Sequence, residues 1–217
     1  MRKTILMIML LSIFFADSAY AGVSFLKKIK VVTKDKEDVL VQQRFFSEGD
    51  SVRIEEESAG IEGNPGIRLY DFKKKKLYTI MLNVKLYMEQ DIGIEKEVIM
   101  FEPDPEKRYA DDKDVKVVKT KKGEETIQGY HTTIYEVKVI RKGGKDKDKD
   151  KGKEKEEQVL EQYSVWRAEG LQDMPVKYEI ELHDNNKRII EYLDIKTDAI
   201  EPSLFSIPEG YMAISPY

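Results

Sequence analysis

Residues 174–183 read Met-Pro-Val-Lys-Tyr-Glu-Ile-Glu-Leu-His, and this stretch decides the fold class. Every second residue from Val176 to Leu182 is apolar and its neighbours are polar, which is the period of a strand with one buried face. The turn signal Asp184-Asn185-Asn186 follows, and another apolar run begins at Ile189. A long alternating run, a short turn and a second run predict an antiparallel hairpin.

The same pattern recurs along the chain, so the sequence predicts a mainly β protein built from antiparallel hairpins. Turn signals separate the runs at Glu48-Gly49-Asp50, Gly63-Asn64-Pro65-Gly66 and Lys122-Gly123. The further alternating runs are Val39–Arg44, Val52–Glu55, Ile67–Phe72, Tyr78–Leu82, Val84–Met88, Ile134–Val139 and Tyr163–Trp166.

Little helix is predicted. Residues 22–38 place apolar side chains at roughly helical spacing, which is compatible with an N-terminal helix. Residues 92–101 fit either a short helix or a loop. The prolines at 103 and 105 require extended backbone around them, and residues 102–113 are polar, as expected of a surface loop.

The first 21 residues predict a secretory signal peptide. Arg2 and Lys3 precede the apolar run Thr4–Ala16, and Ala19-Tyr20-Ala21 suits cleavage before Gly22. The alternative is an uncleaved anchor, but the apolar run is far shorter than the roughly 20 residues of a membrane-spanning helix. We therefore expect a periplasmic protein, with secretion as the alternative, in which residues 22–217 form one domain without a stable membrane span.

Composition narrows the function further. The chain of 217 residues has 37 Lys and Arg, 41 Asp and Glu, and no Cys. Without cysteine, thiol catalysis, iron–sulfur clusters and Cys-zinc sites are excluded. The mildly acidic balance argues against nucleic-acid binding, which favours a basic stripe.

No catalytic, metal or cofactor site is predicted. The charged segment 143–157 contains no apolar residue after Gly143-Gly144 and is expected to be a disordered loop. Asp146, Asp148, Asp150 and Glu157 have the spacing of calcium ligands in an EF-hand, but the glycine required at the sixth position is missing. His131 and His183 have no partners in sequence that would indicate a catalytic role.

Aromatic and methionine side chains cluster on two adjacent predicted strands. Ordinary core packing is one explanation. The other is an apolar ligand cavity, in which flexible Met suits varied apolar ligands. The residues predicted to line such a cavity are Tyr78, Ile80, Leu82, Leu86 and Met88.

Seven segments, taken in order, resemble an exported bacterial family of unknown function in the superfamily of the periplasmic lipoprotein carriers LolA and LolB. The resemblance covers roughly Val39 to Tyr211. The segments are Gly66–Phe72, Lys76–Ile80, Lys85–Glu89, Ile127–Tyr130, Tyr163–Ala168, Leu171–Lys177 and Leu204–Tyr211.

This resemblance implies a curved antiparallel half-barrel sheet with a few covering helices and an apolar cavity for acyl chains. The expected function is non-enzymatic binding of a lipid or other long apolar ligand, in envelope lipid or lipoprotein trafficking. The alternative is a structural or regulatory envelope module that has a filled core and binds a protein partner. The bulky residues of segment 204–208 are themselves expected to form a plug under the barrel, followed by a Pro-Glu-Gly turn.

Overall fold

Twelve strands form one open sheet within residues 22–56, 66–102, 104–143, 157–182 and 186–215, which the computed structural model describes. They are β1 (Val23–Val32), β2 (Glu37–Glu48), β3 (Ser51–Glu56), β4 (Gly66–Asp71), β5 (Lys76–Met81), β6 (Leu86–Asp91), β7 (Val115–Ile127), β8 (Tyr130–Arg141), β9 (Gln158–Ala168), β10 (Met174–Glu181), β11 (Lys187–Lys196) and β12 (Met212–Ile214).

The strand order across the sheet is β12-β6-β5-β4-β3-β2-β1-β11-β10-β9-β8-β7. Neighbours run antiparallel, except that β12 lies parallel to β6. Because β12 and β7 are the two edges, the sheet is not closed. The mainly β, antiparallel fold with few helices is therefore confirmed.

The N-terminal helix considered for residues 22–38 is wrong, because this segment contains β1. β1 lies between β2 and β11 in the middle of the sheet. The neighbouring side chains of Phe25 and Leu26 are both buried, although they point to opposite faces of a strand. A strand buried on both faces loses the two-residue period, and its apolar spacing then imitates a helix.

The turn predicted at Lys122-Gly123 is also wrong. Both residues lie within β7, at a bulge where the pairing register shifts between Lys121 and Gly123. The turn comes at Gln128 and Gly129, whose φ values of 53° and 83° are both positive. That conformation is typical of a two-residue hairpin loop.

Two short helices follow β6. The helix α1 (Lys96–Met100) falls in the segment predicted as helix or loop. The helix α2 (Pro105–Arg108) falls in the predicted surface loop, where Asp104 accepts a hydrogen bond from the Glu106 N–H at 3.0 Å. Proline is favoured at the first helical position, so the second proline of this segment starts a helix. Within the described residues, no helix has the length and apolarity needed to cross a membrane.

The main hydrophobic core covers one face of the sheet, called the inner face below. Phe25 stacks on Phe45 with ring centroids 5.0 Å apart and meets the edge of Tyr192 at 5.3 Å. From this centre the core extends along the sheet through Val52, Ile54, Tyr70, Val137, Val165, Tyr178 and Ile190.

A second cluster lies on the opposite, outer face. Its buried members are Ile67, Leu69 and Ile80, and Ile67 pairs directly with Ile80 across β4 and β5. The C-terminal segment covers them through a 3-10 helix (Pro202–Phe205) and partly buried Phe205, Ile207 and Tyr211. The residues expected to form a plug, 204–208, thus lie against this outer cluster.

Some sequence predictions lie outside the described residues. They are the signal peptide of residues 1–21, most of the turns predicted at 63–66 and 184–186, the central part of the charged loop with Asp146, Asp148 and Asp150, and His183.

Candidate ligand-binding clefts beneath a helical strap

A helical segment crosses the inner face of the sheet. We call residues 95–102 and 104–109, which include α1 and α2, the strap. Its centre is anchored in the core, because Met100 is buried and Phe101 lies 5.9 Å from Phe25 and 5.7 Å from Tyr192, centroid to centroid. The strap therefore covers the middle of the inner face.

Polar contacts fix the two ends of the strap. At one end, the Lys96 ammonium donates a hydrogen bond to the Gly49 carbonyl at 2.7 Å, in the turn between β2 and β3. At the other end, the Glu161 carboxylate on β9 accepts hydrogen bonds from Arg108 at 2.6 Å and from the Tyr109 hydroxyl at 2.9 Å. The strap thus spans the sheet from β2 to β9.

A half-buried carboxylate ties the strap to the central strands. Glu102 accepts from Lys27 of β1 at 3.5 Å and from Arg188 of β11 at 3.3 Å. Burial lowers the pKa of Lys27, and the charge of Glu102 opposes that shift. Glu102 thus links the strap to β1 and β11.

A cleft of ≈ 410 Å³, cleft 1, lies on one side of the strap. It is bounded by the β2–β3 turn, α1 and the connection from β9 to β10. Its apolar lining includes Val23, Met100, Leu171 and Met174, whereas charged side chains such as Glu97 stand at its rim. Cleft 1 therefore combines an apolar floor with a polar rim.

A larger cleft of ≈ 620 Å³, cleft 2, lies on the other side of the strap. Val98, Phe101, Pro175 and Tyr178 supply its apolar surface. Phe101, Pro175 and Arg167 line both clefts. The two clefts therefore adjoin beneath the strap, and Arg167 stands where they meet.

A third cleft of ≈ 330 Å³, cleft 3, continues along β9 and β10 and includes Leu160, Tyr163 and Ile180. Tyr178 lines both cleft 2 and cleft 3. Burial raises the pKa of Tyr178 to about 12 and also raises that of Tyr163. Both phenols therefore stay neutral at physiological pH and can donate hydrogen bonds to a ligand.

The five residues predicted to line a cavity are divided between the two faces of the sheet. Tyr78, Ile80 and Leu82 belong to the outer cluster beneath the C-terminal segment. Leu86 pairs with Met81, and Met88 pairs with Thr79. Directly paired residues share a face, so Leu86 and Met88 point the other way. The structure thus does not bring the five residues together, and their role in ligand binding stays a prediction.

None of the five lines clefts 1 to 3. The prediction grouped residues of two consecutive strands without knowing which residues of the two strands pair with each other. In the structure Ile80 pairs with Tyr87, and Leu86 and Met88 are the residues on either side of Tyr87. A shift of one residue in register moves a side chain to the opposite face.

Sequence reasoning missed Arg167, although a signal was present. Tyr163 and Val165 are both on the inner face of β9, and Arg167 continues that series at the next alternate position. A charged residue on the buried parity of a strand is unusual, because unpaired charges are rarely buried. That position alone marks Arg167 as a candidate functional residue.

The described part of the chain was also searched for a histidine site and for a metal site. His131 is more than half exposed, and its ring nitrogens lie 3.5 Å from Glu124 and 3.6 Å from Glu169. Among the described residues, no group of three or more His, Asp or Glu side chains is arranged to hold a metal ion.

Comparison with solved structures finds proteins with which the chain shares 12% identity. A LolA superfamily protein from Nitrosomonas europaea has a TM-score of 0.37, with 87% of this chain and 91% of that chain covered. The lipoprotein LppX from Mycobacterium tuberculosis has a TM-score of 0.41, with 82% and 88% covered. A DUF1329 family protein from Desulfovibrio piger has a TM-score of 0.26, with 87% and 91% covered. Likeness at this level carries no information about the ligand.

No curated protein matches the sequence. A family match, however, covers most of it: residues 28–211 match the family described as "Domain of unknown function (DUF4412)". Because that match covers most of the chain, including the strap and eleven of the twelve described strands in whole or in part, the chain belongs to the DUF4412 family.

Proposed function

We propose that this protein is a non-enzymatic carrier or receptor for a lipid or another long apolar ligand, which it holds on the inner face beneath the strap. One observation carries the proposal: clefts of ≈ 410 and ≈ 620 Å³ adjoin under the strap. Ligand sites typically measure about 300–1,000 Å³ and have apolar walls with a few polar groups.

The lining chemistry supports a flexible apolar ligand. Met100 and Met174 face cleft 1, together with Leu171. Methionine side chains adapt their shape to irregular apolar partners. Polar groups stand at the rim of the cleft, which suits an amphipathic molecule whose tail is buried and whose head meets water.

We place the protein in the periplasm, where it would take part in envelope lipid or lipoprotein trafficking. The signal peptide predicted for residues 1–21 supports this location. The first described strand begins at Val23, directly after the predicted cleavage site at Ala21. N-terminal sequencing of exported protein should find Gly22 first, and an intact Met1 would contradict processing.

Ligand binding can be tested on protein purified from its own periplasm. Native mass spectrometry should show a bound species that organic extraction releases as a lipid. Titration with a fluorescent fatty acid should then show saturable binding to the extracted protein.

A matched pair of variants locates the site. Met174→Trp fills cleft 1 and should weaken fatty-acid binding, because the added ring occupies the volume of the tail. Val159→Trp on the neighbouring strand β9 is the control, since Val159 is exposed and lies outside the three clefts. Absence of any bound lipid, with no fatty-acid binding by the wild type, would overturn the proposal and favour the envelope module that binds a protein.

A further inference from the structure

We propose that Arg167 binds an anionic head group, a carboxylate or a phosphate, of a ligand whose apolar tail lies in the adjoining clefts. This inference rests on the proposed function and adds the chemical class of the ligand. Arg167 lines cleft 1 and cleft 2, so its guanidinium is within reach of a head group at their junction.

The hydrogen bonding of Arg167 is incomplete. One terminal nitrogen donates to the Asp173 carbonyl at 2.9 Å. The Nε–H is buried and has no hydrogen-bond partner among the described residues. Among the described residues, Arg167 forms no ion pair with a carboxylate, unlike Arg53, Arg68, Arg108 and Arg188. The guanidinium therefore keeps terminal N–H donors from which a bound anion can accept hydrogen bonds.

Three carboxylates around the clefts are already occupied by the protein. Glu48 accepts from the Ile200 N–H at 3.1 Å, Glu102 pairs with Lys27, and Asp104 caps α2. These groups are therefore held by their own donors and do not compete for Arg167.

The other three carboxylates, Glu95, Glu97 and Asp173, are exposed at the rim. Water and salt screen exposed charges strongly, whereas buried groups are screened much less. Water and salt therefore weaken their repulsion of an anion. The rim acids also disfavour anions that lack a tail to hold them deep in the cleft.

Arginine suits this task better than any other cation. Its planar fork of N–H donors matches the two oxygens of a carboxylate or phosphate. Tyr178 and Arg167 both line cleft 2. The neutral phenol of Tyr178 supplies a second donor in that cleft.

The test compares different head groups attached to the same alkyl chain. Pyrene-labelled dodecanoic acid, the matching dodecanol and the matching dodecyl phosphate are titrated against the full-length mature protein. A charge-assisted hydrogen bond should make the acid or the phosphate bind about tenfold more tightly than the alcohol. The tighter of the two anions identifies the head group as carboxylate or phosphate.

The variants assign this preference to one side chain. Arg167→Gln should reduce the anion-to-alcohol affinity ratio to about one, while binding of the alcohol changes little. Arg167→Lys keeps the charge without the fork and should retain part of the preference, which also covers the case in which Arg167→Gln folds poorly. Arg68→Gln is the control, because Arg68 is ion-paired with Glu56 and lines none of the three clefts.

The outcomes separate the two proposals. A folded Arg167→Gln protein that keeps the full preference for anions would overturn the head-group inference. Equal binding of acid, phosphate and alcohol by the wild type would overturn it too, while the proposed function would stand. If the wild type binds none of the three probes, the proposed function itself is wrong.

Discussion

Replacing Ile80 by lysine separates the two sites considered for an apolar ligand. The sequence predicted Ile80 in the wall of a cavity. The structure places it at 0% exposure on the outer face, between Ile67 of β4 and Tyr87 of β6. Phe205 of the C-terminal segment packs on this cluster. A lysine at this position has no carboxylate partner among these neighbours and no open path to water.

The expected loss of stability is large. Truncating a buried Ile costs about 2–5 kcal/mol, and an unpaired buried ammonium adds several kcal/mol unless it loses its proton. The total stability of a domain is only about 5–15 kcal/mol. We therefore expect Ile80→Lys to unfold at much lower urea concentration than the wild type, or to be unfolded in buffer.

The assay is urea denaturation followed by circular dichroism. Val84→Lys is the matched control, because Val84 lies at the turn of the same β5–β6 hairpin and is 54% exposed. Its midpoint should stay close to that of the wild type. If Ile80→Lys is as stable as Val84→Lys but no longer binds fatty acid, the outer face is a ligand cavity, and our assignment of the ligand to the inner face is wrong.

Three further predictions test other parts of the fold. Lys27→Met should flatten the rise in stability as the pH approaches 10.5, the ordinary pKa of lysine. The pKa of Lys27 is lowered in the folded protein, so the unfolded chain binds more protons just below that pH. Urea midpoints measured over this range for the variant and the wild type test the prediction. Gly22→Ala should lower the free energy of unfolding by about 1–3 kcal/mol, since the added Cβ would lie 2.8 Å from the Asp198 carbonyl. Gly93→Ala is the control, because the space around Gly93 is open. Equal melting temperatures of the two variants would refute the prediction. Replacing residues 145–157 by a short turn should move the melting temperature by only a few degrees, because Arg141 and Gln158 are already paired and loop-closure entropy changes slowly with length. Loss of folding would contradict this prediction. A gain in stability of the intact protein on adding calcium would contradict the absence of a calcium site in this loop.

The sequence was sufficient where a strand has one buried face. β10 shows this best, since Tyr178 and Ile180 alternate with Lys177 and Glu179, and the hairpin with β11 forms as predicted. Such alternation is a local property of the strand. It is therefore readable without knowledge of what lies beside it.

Two of the strands that escaped prediction, β1 and β7, did so for opposite reasons. β1 has apolar side chains on both faces because it is central, and so its period is lost. β7 is an edge strand rich in charged residues such as Lys116 and Lys119, and so it shows no apolar stripe. Charged side chains on an edge strand discourage pairing with other molecules. In both cases the position in the sheet, which local patterns do not contain, determines the composition.

The clefts were beyond sequence reasoning because they depend on contacts between distant segments. Phe101 meets Phe25, and Glu102 meets Arg188, so the position of the strap depends on β1 and β11 together. Arg167, a charge on the buried parity of β9, is a signal that the sequence did contain. That residue was passed over because the aromatic and methionine cluster on β5 and β6 had the more familiar composition of a ligand cavity.

The two faces of the sheet are covered in different ways, and the difference favours a ligand on the inner face. On the outer face, apolar side chains of the C-terminal segment, such as Phe205, pack directly on Ile67 and Ile80. On the inner face, the strap contributes Met100 and Phe101 to the core, while Lys96 and Glu102 tie it to the sheet through polar contacts. Buried ion pairs add little net stability but constrain geometry. The strap is therefore held in place without filling the space on either side of it, which leaves apolar clefts where a lipid chain can supply the missing contacts.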